Sequence, residues 1–103
     1  MKPGYLYIWE YLVPPSQAST FERFYGPAGD WVELFRCAPG YLRTELHRDR
    51  SNPQRFVTID YWESYDALQA FRRQFAEEFE ALDEKCEEFT SRESEIGKFE
   101  PIA

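Results

Sequence analysis

At 103 residues the chain is one domain, 1–103, able to hide at best about two-thirds of its unfolded surface in a core. Its 43% hydrophobic and 18% aromatic content fits a globular fold, and a formal charge of −7 argues against nucleic acid or an anionic membrane as the main partner. No apolar run reaches the ~18 residues of a membrane span, and the opening MKPGYLYIWEY lacks a secretory h-region, so the expected location is cytoplasmic.

Residues 5–13, YLYIWEYLV, place Tyr5, Tyr7, Trp9 and Tyr11 on one parity and Leu6, Ile8 and Leu12 on the other. Both parities are oily, which predicts a central strand covered on both sides. Pro14-Pro15 stops it. Ser19-Thr-Phe-Glu22 reads as a capping box that starts a helix, and Gly26-Pro27 ends that helix early. A second box, Asp30-Trp-Val-Glu33, restarts it with Trp31, Leu34 and Phe35 on one face. The first helical region is therefore 20–37, broken near GPAG.

The mixed polarity of YLRTELHRD, 41–49, predicts an edge strand, and RSNPQ predicts a hairpin loop. Residues 55–62 form a third strand. Ser64 caps the next helix, with Asp66 in the first turn where the dipole favours an anion. Its apolar row runs through Tyr65, Leu68, Phe71, Phe75, Phe79, Leu82, Cys86 and Phe89 as one continuous stripe. The acidic run 77–88 is its solvated side. A last strand near 94–100 carries Ile96 and Phe99. Cys37 and Cys86 form no CxxC motif and read as two reduced, half-buried thiols.

The order βαββαβ is met most economically by an α+β, ferredoxin-like fold: a four-stranded antiparallel sheet with two helices on one face. Strands one and three are central in that topology, and they are the oiliest. Helices leave the other sheet face bare, so a second copy is expected to cover it. The prediction is a homodimer.

The stretches YGPAGDWVELF (25–35), APGYLRTEL (38–46), RFVTIDYWES (55–64) and ALDEKCEEFT (81–90) resemble the antibiotic biosynthesis monooxygenase family of the dimeric α+β barrel superfamily. Members differ in activity, and fold alone does not choose among them. Haem-degrading relatives pair a first-strand asparagine with a tryptophan at the Trp62 position and a haem-ligating histidine where this chain has Arg72. Here 5–13 contains no asparagine, and the one histidine is His47. The cofactor-independent oxygenase branch needs no metal ligand. The resemblance to it implies an aromatic pocket, the strand-end Trp62, and a small phenolic, polyketide-like substrate whose anion passes an electron to O₂.

Trp62 is either corner filling or a pocket wall. Asp60 shares its parity, and a carboxylate in a central strand must be paired, for instance with Arg43, or carry a raised pKa suited to acid–base work. His47 is the one group that titrates near neutrality unperturbed, on a strand where it also reads as a surface residue. Trp62, Asp60 and His47 are thus the candidate catalytic residues. Trp9, Tyr11, Trp31, Phe35, Phe71 and Arg72 are the candidate pocket residues, with Arg72 and Arg73 otherwise solvated charges. No residue spacing suggests a metal or cofactor. The expected function is cofactor-independent oxidation of an aromatic compound; the alternatives are a non-catalytic ligand-binding or dimerisation module, and haem binding.

Overall fold

The alternation of the first strand holds in the computed structural model, which describes residues 2–102. β1 (Tyr5–Leu12) lies between β3 (Arg55–Trp62) and β4 (Arg92–Phe99), and β2 (Tyr41–Arg48) flanks β3. Every neighbouring pair is antiparallel, in the order β2-β3-β1-β4. This is the expected ferredoxin-like arrangement, with β1 and β3 central. Two broken helical segments cover one face: α1 (Ala18–Tyr25) with α2 (Asp30–Phe35), and α3 (Tyr65–Gln74) with α4 (Ala76–Cys86).

Aromatic rings join the two layers. Phe21 of α1 packs on Tyr11 at 5.1 Å between centroids, and Phe35 and Phe71 pack on Trp62 at 5.7 and 5.4 Å. Each such side chain, buried fully, contributes roughly 1.5–3 kcal/mol through area removed from water. The other sheet face carries Leu6, Ile8, Ile59 and Tyr61, all only half-buried. No helix among the described residues is long and apolar enough to cross a membrane.

Several local expectations are corrected. The Ser19–Glu22 box does not start α1. The helix begins at Ala18 directly out of a 3-10 turn over Pro15–Gln17, with no side-chain cap. Pro15 sets φ for that turn, and the Gln17 N–H donates to the Pro14 carbonyl at 2.9 Å, so the helix is already running at Ser19. Nor does Asp30 cap α2; Gly29 does. A Cβ at Gly29 would lie 2.4 Å from the Phe24 carbonyl oxygen, so the close passage of the chain demands glycine there. Asp30 and Glu33 instead sit in the first turn, where the helix dipole favours them.

Ser64 caps α3 as expected, its Oγ accepting from the Ala67 N–H at 3.0 Å. The stripe that follows is not one straight helix, because the chain bends at Phe75. A single rod over 65–86 would be about 33 Å long, beyond the roughly 27 Å of an eight-residue strand. The bend keeps Phe79, Leu82 and Phe89 against the core. Of the thiols, Cys86 is buried and Cys37 exposed, and both are free.

Two β-bulges decide which side chains face the helices. In β4 the register slips so that Tyr7 pairs with Lys98 but Trp9 pairs with Glu95. Ile96 is squeezed outward and left 47% exposed, while Lys98, Glu95 and Glu93 share the helix side. In β2 a slip at Leu42 brings Tyr41 to the same face as Thr44.

Candidate active site

The register builds a polar row across the buried face of the sheet. Thr44 of β2 is opposite Asp60 of β3, Asp60 is opposite Tyr7 of β1, and Tyr7 is opposite Lys98 of β4. Residues directly opposite across antiparallel strands point the same way. The row therefore runs under the helices, flanked by Tyr5 and Trp62 on one side and by Trp9 and Thr58 on the other.

Over it lies a cavity of ≈ 270 Å³. Trp9, Tyr11, Trp31 and Phe35 supply its aromatic walls, and Asp60 lies on its floor. At the rim stand Arg72 of α3 and the β4 side chains that the bulge turned inward. A flat aromatic molecule matches such walls in size and polarity.

Asp60 is 6% exposed, and among the described residues it forms no ion pair. Burial pushes its carboxyl up to about 7, against the opposing pull of the Thr44 hydroxyl and, less, of the Tyr7 phenol. The Thr44 hydroxyl donates to Asp60 Oδ1, which leaves the Tyr41 hydroxyl to donate to Thr44 Oγ1 at 2.8 Å. Burial, and then the charge of Asp60, hold the Tyr7 phenol well above its ordinary value. Tyr11, also held high by burial, shares a hydrogen bond of 3.1 Å with Thr58. The result is one acid that gains or loses a proton near neutrality, among phenols that do not. At the opposite end Glu93 is raised by burial and then by Asp83 and Glu87. Among the described residues no three His, Cys, Asp or Glu side chains converge as a metal site.

A model of the antibiotic biosynthesis monooxygenase family matches residues 8–84, about three-quarters of the chain. The chain belongs to that family. Solved structures agree in fold. PA3566 from Pseudomonas aeruginosa is 22% identical with a TM-score of 0.69, and the match covers 100% of this chain and 98% of that one. SnoaB from Streptomyces nogalater, a cofactor-independent oxygenase, is 21% identical at TM-score 0.66, covering 99% and 96%. A Bordetella bronchiseptica protein provisionally assigned as an antibiotic biosynthesis monooxygenase is 21% identical at TM-score 0.74, covering 99% and 100%. A comparison with curated proteins finds no match.

Within this monooxygenase-family fold the sequence candidates separate into three groups. Asp60, Trp9, Tyr11, Trp31, Phe35 and Arg72 meet at the cavity. Trp62 and Phe71 stand behind its wall: Trp62 is wholly buried, packed by Phe35, Tyr41 and Phe71. The Trp62 indole N–H has no hydrogen-bond partner, although the Tyr7 phenol is close by. His47 is paired in register with Val57, on the opposite sheet face, where its Nε2 lies 3.1 Å from Glu45. The expected Asp60–Arg43 pair does not form, for the same reason of parity. Arg43 is on that opposite face, 3.8 Å above the Tyr61 ring.

The sequence reading missed Thr44, Tyr7 and Lys98. Tyr7 and Thr44 carried a usable signal, since each shares the parity of a buried strand face. Lys98 carried none, because its facing depends on the bulge.

Proposed function

We propose that this protein is a homodimeric, cofactor-independent oxygenase of small phenolic aromatics, with Asp60 as its acid–base group. The observation that carries the reading is a buried carboxyl, Asp60, poised near neutrality on the floor of an aromatic cavity. A bound phenol is the natural substrate for such a group. The Asp60 carboxylate takes the hydroxyl proton, and the electron-rich phenolate passes an electron to O₂. Recombination forms a C–O bond at a ring carbon, giving a peroxide anion that takes the proton back from Asp60 and becomes a hydroperoxide. The same ring carbon then loses its C–H proton to the Asp60 carboxylate as the O–O bond breaks, and the departing hydroxide takes up that proton and leaves as water. The hydroxyarene and O₂ become a quinone and water, the ring losing four electrons and O₂ gaining four.

The aromatic walls orient the ring and exclude water, which strengthens every charge interaction at Asp60. Trp62 acts behind the wall by fixing Phe35. The half-buried apolar patch of Ile8 and Ile59, on the sheet face away from the helices, is the surface for a second copy, with Arg43, Glu45 and His47 beside it on β2. The test is oxygen uptake by purified, metal-free protein with naphthol- and anthrone-type substrates. Uptake matched one-to-one by quinone supports the reading. Tight binding with no uptake would leave a ligand-binding module instead.

A further inference from the structure

Beside the main cavity lies a shallower recess whose lining contains Arg72, Arg73 and Lys98 and no carboxylate. Tyr5, Leu68, Arg72 and Lys98 line both spaces, so the two are continuous. Three cations around one recess are unexpected in a chain of net charge −7. Among the described residues neither arginine has an ion-pair partner; Arg72 lies only over the Phe79 ring, at 4.9 Å. Lys98 Nζ is held by Glu95 at 2.9 Å. A second observation points the same way. The Tyr5 hydroxyl is buried, 3% exposed as a residue, and has no hydrogen-bond partner. Burial holds its phenol above the ordinary value, with Lys98 and then Arg72 pulling it down and Glu95 and Tyr65 pushing it up. An orphaned buried hydroxyl is costly unless something accepts from it. Donors converge here, and the recess lining offers them only the neutral acceptors of Gln69 and Tyr65, with no carboxylate.

We infer that the ligand is a fused-ring hydroxyaryl carboxylate, bound with its carboxylate in this recess against Arg72 and the Tyr5 hydroxyl and its phenol over Asp60. This rests on the oxygenase reading for the phenol end only. The planar guanidinium matches a carboxylate, and Arg73 and Lys98 add charge without needing direct contact. The spacing fits. Asp60 and Lys98 are two strands apart in one row, about 10 Å, close to the length of a two-ring system with its groups at opposite ends. The acids Asp83, Glu93 and Glu95 line the main cavity but not the recess, and Glu95 offsets Lys98 alone, so a carboxylate is directed to the arginine end.

The test is calorimetric titration of the full chain, at pH 7 and low salt, with two probes: a hydroxynaphthoate bearing hydroxyl and carboxylate at opposite ends, and the naphthol without the carboxylate. The acid is expected to bind about tenfold tighter or more, the scale of one charge-assisted hydrogen bond. Arg72→Gln should erase that advantage, bringing the ratio of the two affinities to about one. Tyr5→Phe should reduce it in part, while Arg50→Gln, on the exposed hairpin loop, should leave it unchanged. Equal affinity for the two probes, or an advantage that survives Arg72→Gln, overturns the inference. Binding is read without turnover. Selective binding with no oxygen uptake therefore supports this inference while refuting the oxygenase reading, and uptake without selectivity does the reverse.

Discussion

Tyr7 and Asp60 stand directly opposite each other across the β1–β3 pair, a phenol and a carboxyl side by side on the buried face of the sheet. Burial drives both toward their neutral forms, Tyr7 far above any working pH and Asp60 to about 7. The pair therefore contains one proton that moves at neutrality and one that does not. In the proposed reaction that difference is what makes Asp60, and not Tyr7, the base toward a phenol brought in from outside.

The same burial should cost stability. Unfolded, Asp60 titrates near its ordinary value of 3.8; folded, near 7. Between those values the folded state holds the extra proton, so stability falls as pH rises through this window and levels off above it. The span corresponds to about 4 kcal/mol as an upper bound. Asp60→Asn keeps an acceptor for the Thr44 hydroxyl and cannot ionise. It should raise the melting temperature by several degrees at pH 8 and by little at pH 4. Equal melting curves for the two proteins at pH 8 would mean that Asp60 ionises freely in the fold.

Trp62 and Trp9 should separate stability from binding. Trp62 is wholly buried, with three aromatic neighbours. Trp62→Ala should cost about 3–5 kcal/mol in chemical denaturation. Trp9 is half-buried and lines the cavity. Trp9→Ala should cost less stability but weaken naphthol binding by calorimetry. The opposite ordering would put Trp62, not Trp9, against the ligand.

The bare sheet face makes a prediction about assembly. Ile8 and Ile59 are opposite each other there, half-buried in a single chain. The wild-type protein should scatter light as a dimer, and Ile8→Arg should shift it to monomer by placing a charge in an apolar interface. A wild-type monomer at micromolar concentration would contradict this.

Much of the architecture was legible because it follows from periodicity. The oily parities of 5–13 and 55–62 mark the two central strands, and Ser64 marks its helix. The helix starts at Ser19 and Asp30 misled, because a proline-led turn and a glycine set by close packing did the work of caps. The site was half legible. Asp60 stood out as a carboxylate in a hydrophobic strand, and the aromatic walls stood out by composition. His47 could not be placed until the register of β2 put it on the opposite face. The bulges at Leu42 and Ile96 have no signature in composition, yet they bring Tyr41, Lys98 and Glu95 inward.

The most direct measurement is the pH dependence of oxygen uptake with a naphthol substrate, for wild type and Asp60→Asn. The account predicts that kcat/KM rises about tenfold per pH unit on the acid side and levels off above about pH 7, as expected of a single base near 7. In Asp60→Asn the rate should fall by about 10²-fold or more and the acid limb should vanish. An unchanged profile in Asp60→Asn would contradict the central role given to this carboxyl.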